Sequence, residues 1–126
     1  MEQIILPDEE ELLYEAMVKM ADIEKYDVIF TTGGTGLSKR DVTPEATMRA
    51  ATKNVPGIAE GIRNYSLSIT PKAMYSRAVS VMRNDTLIIN LPGSPKACKE
   101  SLEYLLPTLS HAILIMRGET SECARK

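Results

Sequence analysis

At 126 residues the chain has the length of a single domain, against a yardstick of about 100–200 residues. With 44% hydrophobic and 25% charged residues it can build a core, and a net charge of -2 excludes a nucleic-acid binder that relies on a strong basic field. No apolar run approaches the ~20 residues of a membrane span, no charged-then-apolar leader opens the sequence, and two cysteines with one histidine offer neither a disulfide framework nor a zinc motif. These features predict a cytoplasmic domain with no nucleic-acid and no membrane partner.

Short apolar runs alternate with amphipathic stretches, the signature of an α/β layered fold. Gln3–Leu6 reads as a strand stopped by Pro7. Asp8 stands at an N-cap position with Glu11 in capping-box spacing, and an apolar face from Leu12 to Ala21 predicts a helix over Glu9–Ile23. Val28–Thr31 is a β-branched and aromatic strand. After the turn-rich TTGGTG run, Thr43–Pro44 predicts a cap and first helical residue, with the helix reaching about Lys53. Val55–Pro56–Gly57 punctuates the chain before a helix carrying Ile58, Ile62, Tyr65 and Ile69, ended by Pro71. Ala78–Met82 and Thr86–Asn90 read as a hairpin around Arg83–Asn84–Asp85. Ser94–Pro95 predicts another helix start, with a face from Leu102 to Met116 that runs through Pro107 as a kinked helix or two abutting ones. The domain is expected to span residues 1–118, with 119–126 a frayed tail.

Two loops share one design, an apolar strand followed by a glycine turn and a helix N-terminus: Ile29–Ala46 and Ile88–Ala97. Glycine lets backbone N–H groups approach an anion, and the helix end adds partial positive charge. In open α/β sheets such loops gather ligands beyond the carboxyl ends of strands. The familiar phosphate motifs are absent. Ser38 stands where a P-loop needs its second glycine, and Lys39 where a dinucleotide fingerprint needs its third. The residues alone leave phosphate binding and a plain connecting turn both open.

TTGGTG, Arg40–Asp41, Thr43–Ala46, Ser76–Arg77 and LPGSPKA, in this order and spacing, resemble the molybdopterin adenylyltransferase family, which includes MogA/MoaB-type proteins and the gephyrin G domain. The resemblance runs from Pro7–Asp8 to Gly118, and the ending after Leu106–Pro107 is similar to the gephyrin type. It implies a three-layer, doubly wound, mostly parallel sheet with helices on both faces and a small antiparallel hairpin. Relative to the family, the chain starts at the second strand, so the first strand and helix of the family fold are expected to be absent.

The resemblance implies transfer of AMP from Mg-ATP to the molybdopterin phosphate with release of pyrophosphate, in a homotrimer, with a molybdenum-insertion protein as a further partner. Asp41 matches the family aspartate that follows the glycine loop and would hold Mg²⁺ or orient the reacting phosphate. A helix-approach cap or a pair with Arg40 is its plainer reading. Asp8 matches a second family aspartate and is equally an N-cap. Thr32, Gly33, Gly34, Thr35 and Gly36 would line the substrate phosphates. Ser76 and Arg77 would contact an anion, or simply be polar residues ahead of a strand. Pro92, Gly93, Ser94 and Pro95 would shape the second rim, with Lys96 neutralising phosphate or standing in solvent. The alternative function is a non-catalytic or truncated molybdopterin-binding module. Related metal-insertion domains and competence-associated hydrolase domains usually lack the uninterrupted TTGGTG to TPEA run.

Overall fold

The computed structural model describes residues 1–118; the expected tail at 119–126 lies outside them. Helix α1 (Glu10–Asp22) leads into strand β1 (Val28–Thr32), then helix α2 (Thr43–Ala50), strand β2 (Lys53–Asn54) and helix α3 (Pro56–Leu67). A 3₁₀ turn (Pro71–Tyr75) precedes strands β3 (Ser80–Arg83) and β4 (Thr86–Leu91), and helix α4 (Pro95–Met116) closes the described chain.

One open sheet has the order β1-β4-β3-β2. β1 and β4 are parallel, pairing Val28 with Leu87 through Thr32 with Leu91, while β3 is antiparallel to both β4 and β2. The α/β architecture is as expected, but the sheet is mixed rather than mostly parallel. The reason is local: the β3–β4 hairpin and the short β2 contribute both antiparallel pairs. Gln3–Leu6, expected as a strand, joins no strand, and Ile5 is 92% exposed. A strand exists by pairing, and no described strand lies beside this segment to receive it.

β4 is buried along its whole length and divides the core. Ile88 faces Met17 and Ala21 of α1, Ala46 and Ala50 of α2, Ile29 and Val81. Leu87, Ile89 and Leu91 face the other way, against Ile62 of α3 and Leu105 and Leu109 of α4. The alternation is the strand period of two with apolar residues on both faces, so helices cover both sides. Cys98 packs at the edge of the second layer, and Met17 is core. Met48 and Met74 are exposed.

Several boundaries moved. Glu9 N–H donates to Pro7 C=O at 2.8 Å, so the chain turns before α1 and Glu9, not Asp8, occupies the cap position; Asp8 makes no capping bond. At α2, Val42 is the cap and Thr43 the first helical residue, because Thr43 N–H is taken by Gly34 C=O at 3.2 Å. Ser94 does cap α4, accepting from Ala97 N–H at 3.4 Å, with Pro95 next. The hairpin turn tightens to Asn84–Asp85, with Asn84 at φ 50°, a conformation its short polar side chain tolerates.

Candidate functional site

β1 and β4 run side by side and end together, so the loops that leave them meet. A Cβ added at Gly93 would lie 3.1 Å from Gly33 Cα, and one added at Gly34, where φ is +70°, would lie 2.3 Å from Thr43 Oγ1. At Gly34 the positive φ and the contact both call for glycine, and at Gly93 an added Cβ would push the Gly33 backbone back by a few tenths of an ångström. The joined loops form one wall of a cavity of 380 Å³. Thr35, Gly36, Pro92, Gly93 and Ser94 line that wall, and Arg63, Ser66, Thr70, Lys72 and Ser76 line the other.

The backbone at this wall is unusually free. Among the described residues, the N–H groups of Gly34, Thr35 and Gly36 donate to no protein acceptor, nor do those of Gly93 and Ser94 at the N-terminus of α4. Unpaired loop amides beside a helix N-terminus make an anion-binding surface. Gly33 differs from the expectation. Its N–H donates to Leu91 C=O at 3.2 Å, so it extends the β1–β4 ladder instead of offering a donor.

Arg77 is committed elsewhere. Its guanidinium donates to Gly36 C=O at 2.7 Å, Asp41 C=O at 2.6 Å and the Glu45 carboxylate at 2.6 Å, and its own N–H donates to Thr35 C=O at 2.7 Å. The expected anion contact is thus replaced by a clamp, because the fork of donors is filled by protein acceptors. The Arg77 guanidinium holds the Glu45 carboxyl below its usual range. Arg63 acts likewise on the far wall, donating to Ser76 C=O at 3.2 Å and Ala78 C=O at 2.6 Å.

The two candidate carboxylates flank the glycine loop on its other side. A Cβ on Gly36 would lie 2.9 Å from Asp41 Oδ2, and one on Gly34 would lie 3.8 Å from Asp8 Oδ1. Asp41 Oδ2 accepts from Ser38 N–H at 3.0 Å, and Arg40 pairs at 3.6 Å with Asp8 rather than with Asp41. Asp8 and Thr32 open onto a separate groove beside β1. Pro95 and Lys96 are exposed and line neither hollow.

With this geometry in view, comparison with known proteins is decisive. Residues 1–111 match the family described as "Probable molybdopterin binding domain". The chain belongs to this family. Molybdopterin adenylyltransferase of Helicobacter pylori (strain J99) is 40% identical over 122 residues, 97% of this chain and 69% of that protein. The protein of the same name in Escherichia coli K12 is 43% identical over 103 residues, 82% of this chain and 53% of that protein, so the chain spans about half its length. Among solved structures, the molybdopterin biosynthesis enzyme MoaB of Thermus thermophilus superposes with a TM-score of 0.82 at 49% identity, over 89% of this chain and 70% of that one. The family is one of molybdenum cofactor biosynthesis.

Within the family fold, the sequence reading reached Ser76 on the far wall but missed Arg63, Ser66, Thr70 and Lys72 there, and the buried linchpin. The 3₁₀ turn carrying Lys72 had no apolar period to mark it. Asn90 has no exposed surface, and its amide donates to Thr31 Oγ1 at 2.9 Å and Thr47 Oγ1 at 3.0 Å while its Oδ1 accepts from Val79 N–H at 3.0 Å. The only signal was a lone amide in the apolar run LIINL. As a donor set for Mg²⁺, two accessible carboxylates beside free loop amides suit an ion that takes one or two carboxylates plus phosphate oxygens and water.

Proposed function

We propose that the chain transfers AMP from ATP to the terminal phosphate of molybdopterin, as a cytoplasmic homotrimer. The observation that carries this reading is the junction of the Gly33–Gly36 and Pro92–Pro95 loops over one cavity, with Asp8 and Asp41 on the opposite flank. A phosphate oxygen of molybdopterin attacks the α-phosphorus of ATP; that P–O bond forms as the bond to the bridging oxygen breaks, and pyrophosphate leaves with the electron pair. Such chemistry depends on positioning and charge neutralisation more than on a covalent intermediate.

The amides of Gly34, Thr35 and Gly36 supply fixed donors for phosphate oxygens. Gly93, Ser94 and the α4 N-terminus do the same from the second loop. Lys72 adds positive charge at the far wall of the cavity, whose apolar stretches suit the pterin. Asp41 would hold Mg²⁺, which when bound neutralises phosphate charge, and Asp8 stands beside the same glycine loop. Association between copies is supported by the exposed apolar residues of α3, the 3₁₀ turn and α4, among them Leu67, Met74, Tyr75 and Leu106; the number three comes from the family resemblance.

The test is pyrophosphate release from ATP and molybdopterin. Asp41→Ala is expected to abolish turnover while molybdopterin still binds, and unchanged turnover would remove Asp41 from the mechanism. Molybdopterin binding without any pyrophosphate release by the parent chain would instead establish a binding module. Light scattering checks the trimer.

A further inference from the structure

The arginines around the glycine loops are of two kinds. Arg77 and Arg63 direct their guanidinium donors to carbonyls and a carboxylate of the chain itself. Arg40 does not. Among the described residues its guanidinium makes no hydrogen bond, and its one ion-pair partner is Asp8 at 3.6 Å, with the Arg40 side chain 83% exposed. An exposed pair at that distance holds a side chain weakly. The backbone beneath it is held firmly. Ser38 N–H donates to Asp41 Oδ2 at 3.0 Å, Asp41 N–H donates to Ser38 C=O at 3.0 Å, and Arg40 N–H donates to Ser38 Oγ at 3.2 Å. Arg77 fastens the same turn by donating to Asp41 C=O. Arg40 is thus a long, unengaged arm on a fixed mount.

Its resting place matters for charge. Asp8 and Asp41 flank the glycine loop, close to Gly34 and Gly36 respectively. A polyphosphate brought to this loop adds negative charge beside two carboxylates, while the loop amides offer only partial positive charge. Lys72 stands across the cavity on the far wall. Arg40 brings a full positive charge on the near side, and its planar fork matches two phosphate oxygens at once. Lys39, beside it in the turn, is a point charge with no fork.

We propose that Arg40 leaves Asp8 when ATP binds and clasps the β- and γ-phosphates, the pair that departs as pyrophosphate. The proposal rests on AMP transfer as the reaction. No proton moves to or from Arg40. As the bond between the α-phosphorus and its bridging oxygen breaks, the electron pair stays on that oxygen. The guanidinium donors meet the charge that builds on the departing group. Asp8 regains its partner once pyrophosphate is gone.

Calorimetric titration of the full 126-residue chain with inorganic pyrophosphate, Mg²⁺ present, reads this contact without any turnover. Arg40→Gln is expected to weaken pyrophosphate binding by about tenfold or more. AMP binding and melting temperature should stay at the parent's values, since AMP lacks both phosphates and the side chain is exposed. Arg40→Lys should recover only part of the affinity, and Lys39→Gln should bind pyrophosphate like the parent. In turnover, Arg40→Gln should lower kcat while KM for molybdopterin is unchanged. Equal pyrophosphate affinity in the parent and Arg40→Gln, equal weakening by Lys39→Gln, or an equal loss of AMP binding would overturn the proposal. If the parent still releases pyrophosphate from ATP and molybdopterin, AMP transfer survives that result. A parent that binds no pyrophosphate would overturn the proposal as well, and one that also releases none would take the transfer reading with it.

Discussion

Three elements meet on the amide of Asn90. It bridges Thr31 of β1, Thr47 of α2 and the Val79 N–H ahead of β3, at zero exposure. Asn90→Ala takes the partner from the Val79 N–H and the Thr31 hydroxyl, both half-buried, while Thr47 keeps its bond to Thr43 C=O; a lost partner costs about 1–3 kcal/mol where the group is out of water. A lower urea midpoint at unchanged m-value is the expected result, together with reduced turnover because both glycine loops hang from this point. Arg77 makes a different prediction. Arg77→Lys keeps the charge but cannot reach Gly36, Asp41 and Glu45 at once, so turnover should fall although no substrate contact is removed. Neither role could be read from sequence, since the partners of Arg77 lie 32 to 41 positions away. By contrast Ser94–Pro95 was legible because a helix cap is set by residues adjacent in the chain.

At the level of loops and helices, close approach is the governing constraint. Gly93→Ala places a Cβ 3.1 Å from Gly33 Cα, and backbone must shift to admit it. The expected outcome is weaker ATP binding by titration with a melting temperature close to the parent's, because the two loops separate while the layers beneath stay packed. The hairpin and the two glycine loops were legible from local residue chemistry. The 3₁₀ turn was not, having no periodic face, and Gln3–Leu6 was misread because strand identity depends on a neighbour that local pattern cannot supply.

Across the whole molecule, stability rests on a sheet packed on both sides and on ion pairs that tie its ends. Ile88→Ala empties the centre of one layer and should cost about 2–5 kcal/mol, measured by denaturant unfolding. The Arg83 guanidinium beside Asp22 and the Arg77 guanidinium beside Glu45 hold both carboxyls below their ordinary values of 3.8 and 4.5. Folded groups with depressed values bind fewer protons than the unfolded chain over that range. Their contribution is therefore complete above the ordinary values and disappears as the pH falls through the folded ones. Melting temperature should drop on acidification below about pH 4.5, and the drop should be shallower in Asp22→Asn and Glu45→Gln. Arg77 has one more consequence. Because it fastens the carbonyls of Gly36 and Asp41 before any nucleotide arrives, little conformational freedom is left to lose on association. Calorimetry should register a small entropic penalty for the native chain and a larger one once that guanidinium is gone.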